Sequence, residues 1–361
     1  MDQHGRPVWH YRQCLPELFL LKQIDTWHEQ QSKSAVHELQ HFRLGPLAFT
    51  CHSFQKGLLE KWAYSLKPLR VTESDEDAWN IFLWDDKQAG LVFHTPPGDL
   101  RHCAFQRLNA LTTSSIRQFY QGWLGVYSGI SLNRRVGYYV VDDHATSPIF
   151  ERVTPMRPIL NVMLNQYGLT LAHAASIVNT DGRSLVLAGG PNQGKSTTAL
   201  RWLIHGGCAQ GDDVCVLGKE GPSSFMVTQG LKMRTATEAF FPQLQAHLTK
   251  IIEGGETKNL FWMDQVFPQQ HALHAQVQAL LLPEVSGEVL TRVEPASPIE
   301  AMRAVVPYAN QQVPTSDNLM GDILMRFIKL LPAFKIRLGT CSDHVLETLH
   351  RLFANPQTFQ K

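Results

Sequence analysis

Residues 185–213 read LVLAGGPNQGKSTTALRWLIHGGCAQGDD, and this stretch decides the fold. Its first four residues are apolar, which predicts a short buried strand. The next eight, residues 189–196, fit the pattern G-x-x-x-x-G-K-[ST], whose glycines let backbone N–H groups turn around phosphate oxygens. Apolar side chains then recur at helical spacing, and Gly206 and Gly207 end the predicted helix. The order of strand, glycine-rich loop and helix therefore predicts a binding site for a phosphate group.

Within the motif, Lys195 and Ser196 carry the groups that can act on a bound phosphate. A lysine here supplies a mobile positive charge for the β- and γ-phosphates, and the serine hydroxyl is suited to bind Mg²⁺. The positive N-terminal end of the predicted helix points at the same anion. The predicted phosphate-binding residues are Gly189, Gly190, Pro191, Asn192, Gln193, Gly194, Lys195, Ser196 and Thr197.

The composition excludes several classes of protein. The chain has 361 residues, 43% of them hydrophobic, and this length predicts two domains, or one large domain with an elaborated N-terminal part, with a sizeable core. Its 33 basic and 32 acidic residues give a net charge of +1, which argues against a broad nucleic-acid-binding face. The six cysteines form no C-x-x-C pair, so we expect no disulfide framework or zinc site, and a cytoplasmic location fits. The N-terminus lacks a secretory signal, and no apolar run approaches the ~20 residues of a membrane helix.

Residues 1–150 are predicted to form a β-rich α+β domain that serves as a scaffold or a recognition domain. The first 40 residues carry apolar side chains at helical spacing and predict a helical extension. Short apolar runs between turn residues predict strands farther along, with one turn at Gly45 and Pro46. The predicted strands cover residues 42–49, 79–84, 91–94 and 136–141, and the predicted helices cover residues 58–66 and 115–124.

Residues 151–361 contain the motif and are predicted to form the catalytic domain. A predicted strand over residues 169–178 precedes Asp181 and Gly182, and Asp-Gly is a strong hairpin signal. The strand that leads into the glycine-rich loop is then the second arm of a hairpin, so we expect a sheet that is partly antiparallel. Beyond residue 213 the pattern predicts strands over residues 214–217, 225–227, 277–282 and 334–338 and a loop over 251–258. It predicts helices over 237–248, with an interruption at Pro242, and over 319–331, a helix from Pro298 and a last helix capped by Ser342.

The stretch around the motif resembles the catalytic core of the HPr kinase/phosphorylase family, and more closely its bacterial HPr-kinase-related members. His173 lies on the strand before the hairpin, and the motif, a helix ending at glycine and the acids Asp212 and Asp213 follow. Lys195 and Asp212 are 17 positions apart, as we expect of that family. The resemblance covers residues 170–217 and implies an α/β fold, the mixed-sheet P-loop kinase core that this family shares with phosphoenolpyruvate carboxykinase.

The resemblance also implies a role for each matching residue. Lys195 and the loop amides would hold the phosphates of ATP, and Ser196 and Asp213 would bind Mg²⁺. Asp212 would be the catalytic base that takes the proton from the attacking hydroxyl, with His173 beside the acceptor or the transferred phosphate. Which acid is the base and which is the metal ligand stays open. For His173, the alternative is a core histidine with a backbone hydrogen bond.

The implied function is that of an ATP-dependent kinase that transfers the γ-phosphate to a hydroxyl acceptor, foremost a serine of a partner protein. Two alternatives stay open: a small-metabolite kinase on the same core, and a nucleotide-binding regulatory module with slow hydrolysis. The Glu-Ile-Arg-Gly-type signature for phosphorolysis has no counterpart, since the nearest stretch, residues 230–234, lacks the acid. Arg234 and Lys258 are candidate cations for the transition-state charge, and a homo-oligomer is compatible with this interpretation.

Overall fold

The chain divides into two compact units in a computed structural model. The structure describes residues 36–85, 109–112, 115–121, 125–218, 221–253, 256–312 and 319–359, together with Glu29 and Lys87. The first unit comprises Met1–Phe42, Ala48–Ala63 and Val71–Pro148, and the second comprises Arg43–Leu47, Tyr64–Arg70 and Ile149–Lys361. The fold is α/β, with mixed sheets and several helices. No helix among the described residues is long and apolar enough to cross a membrane.

An eight-stranded sheet forms most of the described part of the first unit. Its strands are β1 (Glu38–Leu44), β2 (Leu47–Ser53), β3 (Arg70–Val71), β4 (Trp79–Asp85), β5 (Asn109–Thr112), β6 (Ile116–Gln121), β7 (Val126–Ser131) and β8 (Val136–Val141), and a short helix, α1, spans Leu58–Trp62. The strand order is β3-β1-β2-β4-β8-β7-β6-β5. The predicted strands over 42–49, 79–84 and 136–141 are confirmed.

Three predictions for the first unit need correction or fall outside the described residues. The predicted helix over residues 115–124 is wrong, because β6 is a strand that pairs antiparallel with both β5 and β7. Ile116 and Phe119 are buried there, so sheet pairing and burial override the local helical spacing. Most of the predicted helical extension and the predicted strand over 91–94 lie outside the described residues, and residues 38–40 of that extension are strand.

The second unit contains a nine-stranded sheet, a three-stranded sheet and helices on both faces of the larger sheet. The strands of the large sheet are β9 (Leu169–Ala172), β10 (Ala174–Val178), β11 (Arg183–Ala188), β12 (Cys208–Gly211), β13 (Cys215–Gly218), β14 (Ser223–Met226), β18 (His274–Val285), β19 (Arg292–Ala296) and β20 (Ala333–Leu338). The small sheet is formed by β15 (Gly230–Arg234), β16 (Thr249–Glu253) and β17 (Glu256–Trp262). The helices are α2 (Ile149–Val153), α3 (Arg157–Asn165), α4 (Lys195–Ile204), α5 (Met263–Val266), α6 (Pro298–Gln312), α7 (Leu319–Lys329) and α8 (Ser342–Ala354), with 3₁₀ helices at Tyr64–Leu69, Thr235–Phe240, Pro242–His247 and Pro356–Phe359.

The large sheet is mixed, as the hairpin before the glycine-rich loop predicts. Its order is β12-β10-β11-β18-β14-β13-β9, and β20 pairs with β18 and with β19. β10 and β11 are antiparallel, with Gly182 in the turn at φ 73°. β11, β18 and β20 are parallel to one another. The loops that follow these three strands therefore lie at one edge of the sheet.

The apolar run that forms β11 is buried from both faces of the sheet. Leu185 and Leu187 pack into a cluster with α4 and α8, including Trp202. Val186 and Ala188 point the other way, into a cluster with α6 and α7, including Phe327. Because both faces are covered, the strand is continuously apolar from Leu185 to Ala188 rather than alternating. This double burial fixes the end of β11, where the glycine-rich loop begins.

The predicted strand over residues 169–178 is broken at His173. β9, before the break, pairs with β13, whereas β10, after it, pairs with β11 and β12. Opposite His173, residues 212–214 separate β12 from β13. The last pairs on either side are Ala172 with Cys215 and Ser176 with Gly211. The break between β9 and β10 and the break between β12 and β13 thus lie at the same level of the sheet.

Three predictions in the C-terminal part of the second unit are also corrected. The predicted loop over residues 251–258 is a hairpin of β16 and β17, in which Ile251 pairs with Lys258. The helix predicted over 237–248 is two 3₁₀ segments rather than α-helix, and its predicted interruption is confirmed, since the second segment begins at Pro242, which has no N–H to donate. Ser342 is the first residue of α8 rather than its cap, which is Cys341. The other predicted strands and helices of this part are confirmed within three residues at their ends.

The first test concerns Asn161, a buried side chain that joins α3 to β9. Its Oδ1 accepts hydrogen bonds from the Leu171 backbone N–H at 2.8 Å and the Thr170 hydroxyl at 3.0 Å. Asn161→Ala leaves both buried donors without this acceptor, so we expect the free energy of unfolding to fall by about 1–3 kcal/mol. Urea unfolding followed by circular dichroism measures this change.

The matched control is Asn165→Ala on the same helix. Asn165 Oδ1 is buried and has no hydrogen-bond partner among the described residues. Its removal breaks no hydrogen bond, so we expect a change within about 0.5 kcal/mol. Equal losses in the two variants would contradict the role given to Asn161.

Candidate active site

The glycine-rich loop, residues 189–196, connects the buried end of β11 to the first turn of α4. Gly189, Asn192 and Gly194 have φ values of 152°, 66° and 93°. A Cβ atom at Gly189 would clash with Gln193 Oε1, and one at Gly194 would lie 2.5 Å from Leu338 Cδ1. The positive φ values therefore favour glycine at both positions. The resulting loop brings its backbone N–H groups to the start of a helix, where anions bind.

Lys195 lies inside this loop and not in solvent. It is 7% exposed, and its Nζ donates to the carbonyl oxygens of Gly189 at 2.8 Å and Gly190 at 2.9 Å. Burial lowers the pKa of the ammonium group, while the nearby carboxylates of Asp213 and Asp212 raise it. The lysine thus places a positive charge at the centre of the loop, facing two acids.

Asp212 and Asp213 occupy the break between β12 and β13. From the sequence we expect them to follow a strand that lies directly beside the motif strand. That expectation is wrong, because β10 lies between β12 and β11. The acids reach the loop because β12 ends at Gly211 and the chain leaves the sheet there, opposite His173. The acid pair is evident in the sequence, but its position near the loop results from the breaks between β12 and β13 and between β9 and β10.

Asp213 forms two close contacts with cationic or protonated groups. Its Oδ1 lies 3.1 Å from His173 Nδ1, and its Oδ2 lies 2.8 Å from Lys232 Nζ. An ionised carboxylate only accepts hydrogen bonds, so His173 Nδ1 carries the proton in this pair. Burial raises the pKa of Asp213, but Lys232 and His173 outweigh it and hold the pKa well below its ordinary value. Asp213 is therefore a permanent negative charge at neutral pH.

Asp212 is more deeply buried, at 2% exposure, and has a different electrostatic environment. Its Oδ2 accepts a hydrogen bond from the Lys232 backbone N–H at 3.2 Å. Burial and the charge of Asp213 raise its pKa from 3.8 to about 6, although Lys232 and the Ser196 hydroxyl act in the opposite direction. Its Oδ1 is buried and makes no hydrogen bond within the described residues that meets ordinary distance and angle limits. Asp212 can thus take up and release a proton near neutral pH.

Lys232 is the residue that sequence reasoning missed. It lies on β15 and is 8% exposed, and it contacts both acids, one through its ammonium group and one through its backbone N–H. The available signal was a lysine between Leu231 and Met233, two apolar residues that are buried in the core. Charged residues are seldom buried without a partner, so such a lysine indicates a buried acid nearby.

One cavity of about 400 Å³ collects these residues from five separate stretches of the chain. Among the predicted site residues, its lining includes His173, Pro191, Asn192, Gln193, Gly194, Lys195, Ser196, Thr197, Asp212 and Asp213. Gly189 and Gly190 are not in this lining but provide the carbonyls that hold Lys195. Arg234, Glu256 and Lys258 line the cavity as well, and Arg234 Nη1 donates to Asn192 Oδ1 at 2.7 Å. The small sheet therefore closes the cavity over the loop.

The oxygen atoms at this site suit a magnesium ion that is also bound to phosphates. Among the described residues, no cluster of three or more histidine, cysteine or acidic side chains could hold a metal by itself. The set here is two carboxylates and the Ser196 hydroxyl, with Asp212 Oδ1 lacking a hydrogen bond. Mg²⁺ prefers oxygen ligands and usually takes one or two carboxylates together with substrate phosphates and water. The donor set fits that pattern.

Comparisons with known proteins add no family to this description. No family model matches the chain. No curated protein matches it at a significant level either. The chemistry of the site must therefore be argued from its own residues.

The opposite pKa shifts of the two acids predict opposite effects of amide substitution on stability. Folding raises the pKa of Asp212 from 3.8 to about 6, so the folded chain binds this proton more tightly than the unfolded chain. Stability contributed by this group is therefore lost as the pH rises from about 4 to about 6. A pKa difference of one corresponds to ~1.4 kcal/mol, so we expect Asp212→Asn to gain roughly 3 kcal/mol at about pH 7.5 and nothing near pH 4.

Asp213→Asn is the matched control, because folding lowers the pKa of Asp213. Its contribution to stability is present above the unfolded pKa and is lost as the pH falls through the folded value, so this variant should be less stable than the parent at about pH 7.5. Urea unfolding with EDTA and without nucleotide measures both variants. A stability change of the same sign in both would contradict the electrostatic description of the pair.

Proposed function

We propose that this chain is an ATP-dependent kinase with a P-loop core of the HPr kinase and phosphoenolpyruvate carboxykinase type. Its acceptor would be a hydroxyl, foremost that of a serine in a partner protein. The observation that carries this proposal is the pair Asp212 and Asp213, held by His173 and Lys232 in one cavity with the glycine-rich loop. Phosphoryl transfer needs a phosphate cradle, a metal ligand and a proton acceptor near the nucleophile, and this cavity has residues whose chemistry suits each of these roles.

In this proposal the loop amides and Lys195 hold the phosphates of ATP. Ser196 and Asp213 bind Mg²⁺, which when bound supplies charge neutralisation at the phosphate oxygens. Lys195 is already directed into the loop by two carbonyl oxygens, so little rearrangement is needed to face a phosphate. Arg234, on the small sheet, donates a hydrogen bond to Asn192 of the loop. Arg234 and Lys258 would then contact the charge that develops on the transferred group.

Asp212 would accept the proton of the attacking hydroxyl. Its buried Oδ1 makes no hydrogen bond within the described residues, while its Oδ2 is oriented by the Lys232 backbone N–H. Asp213, with its low pKa, is the weaker base and the better permanent ligand. His173 would fix the orientation of Asp213 and stand beside the acceptor. This division of roles places a group that titrates near neutral pH at the base position.

A nucleotide-binding module with slow hydrolysis is the alternative from another class of protein. Such a module needs the glycine-rich loop and Lys195 but not a second acid. Keeping Asp212 ionised beside Asp213 costs folding free energy, because both burial and like charge oppose it. A binding module would have no use for a group with that cost, so the acid pair favours an enzyme. The acceptor, protein serine or small metabolite, is the open part of the proposal.

We expect Lys195→Met to abolish most nucleotide binding and to leave the fold intact. Methionine keeps the length of the buried side chain but removes the charge, and hydrogen bonds to charged groups are worth about 1.5–3 kcal/mol each. Affinity for MgATP should therefore fall by roughly 100-fold in calorimetric titration. Lys329→Met, at an exposed lysine on α7, should bind as the parent does. Unchanged MgATP affinity in Lys195→Met would refute the phosphate-binding role of the loop.

A kinetic test separates the roles of the two acids. Asp212→Asn keeps the side-chain shape but cannot accept a proton, so phosphoryl transfer should fall by roughly 10²–10⁴-fold while MgATP still binds. Asp213→Asn should instead raise the Mg²⁺ concentration needed for half-maximal binding of ATP. Incubation of native lysate with γ-labelled ATP identifies the acceptor by the label that it receives. Single-turnover kinetics with that acceptor then compare the rates of phosphoryl transfer of the variants and the parent. Transfer by Asp212→Asn at the parent rate would remove Asp212 from the base position.

A further inference from the structure

Three exposed apolar side chains form a surface next to the glycine-rich loop, and we call this surface the apolar ledge. It consists of Val285 at the end of β18 and of Val289 and Leu290 in the loop that follows. These residues are 61%, 66% and 53% exposed. Single exposed apolar residues are ordinary, but three within six positions offer apolar area that a ligand can cover.

The ledge lies at the edge of the sheet that carries the glycine-rich loop. β11, β18 and β20 are parallel, so the loops that follow them are neighbours. Gly194 contacts this region directly, since a Cβ atom there would lie 2.5 Å from Leu338 Cδ1 and 3.5 Å from Val285 Cγ2. Adjacent strands are ~4.8 Å apart, so the ledge begins about one strand away from the phosphate-binding loop.

The loop that carries the ledge is held in one conformation by backbone hydrogen bonds to the end of β20 and the start of α8. The Ser286 N–H donates to Leu338 O at 3.2 Å, and Glu288 O accepts from the Thr340 N–H at 2.8 Å. Val289 O accepts from the Cys341 N–H at 3.1 Å. The exposed side chains are therefore displayed by an ordered backbone. A ligand that binds here loses little free energy in ordering the surface.

We propose that the apolar ledge binds the base of the nucleotide whose phosphates bind residues 189–196. This inference rests on the proposed function and extends it to the recognition of the base. A nucleotide has a charged end and a flat aromatic end; the cavity carries the charged groups, and the ledge offers apolar side chains that begin beside Gly194. The face of the ring contacts the ledge, and every base has such a face, so ADP and GDP should bind similarly.

The test compares a nucleotide with pyrophosphate, which has the phosphates but no base. The variant combines Val285→Thr, Val289→Ser and Leu290→Ser, all at side chains that are more than half exposed, so the core is unchanged. Calorimetry with Mg²⁺ measures the affinities for ADP and for pyrophosphate. We expect ADP affinity to fall about tenfold, as loss of buried apolar area predicts, and pyrophosphate affinity to stay within about twofold.

Ile299→Ser is the matched control. Ile299 is 65% exposed on α6, which begins just after β19 and thus near Ala333, at the opposite end of β20 from Leu338. This control should bind both ligands as the parent does.

The outcomes separate the ledge from the proposed function. A parent that binds neither ligand would refute the proposed function, and the base site with it. A parent that binds ADP more tightly than pyrophosphate, with the triple variant unchanged, would refute the ledge alone. The ledge would also be refuted as the base site if the triple variant binds ADP like the parent and loses only phosphoryl transfer to a protein acceptor. The ledge would then bind the acceptor instead of the base. Equal losses of affinity for ADP and for pyrophosphate in the triple variant would also overturn the proposed base site, because the substitutions would then be acting on the glycine-rich loop.

Discussion

The candidate site depends on one buried cation, Lys232, which contacts both of two adjacent carboxylates. Its ammonium group lies 2.8 Å from Asp213 Oδ2, and its backbone N–H donates to Asp212 Oδ2 at 3.2 Å. Two acids side by side in a buried place repel each other and lose hydration, so they need such a partner. Lys232 belongs to the small sheet, and its neighbours Leu231 and Met233 pack in one cluster with residues of α4. The packing of the small sheet therefore sets the electrostatics of the site.

The acids also depend on an interruption of regular structure. β9 and β10 separate at His173, and β12 and β13 separate at residues 212–214, at the same level of the sheet. Residues within a ladder present side chains only to the two faces, whereas residues at a break can turn toward the edge. The surrounding sheet tolerates this interruption because apolar clusters with helices cover both of its faces. The packing of the core thus offsets the cost of the two breaks, where the buried carboxylate of Asp212 destabilises the fold.

Local pattern predicted the motif segment well and the pairing-dependent segments poorly. The strand, the loop, the helix and the hairpin before them follow from short-range rules: apolar runs, glycines with positive φ, and an Asp-Gly turn. The predictions of a helix over residues 115–124 and a loop over residues 251–258 are wrong, because strand pairing and burial there override the local pattern. Most of the predicted site residues do line the cavity, yet Lys232 was missed because its partners lie 19 and 20 positions away in sequence.

By itself, the sequence determined the glycine-rich loop, because backbone conformation at Gly189 and Gly194 and the charge of Lys195 are properties of local residues. It also determined that an acid pair follows at a fixed interval. The tertiary structure alone decided which of these acids is buried, which cation they share, and which strand separates them from the loop. The physical reason is that pKa, burial and ion pairing are set by neighbours in space. Only the breaks at His173 and at residues 212–214 bring those neighbours together.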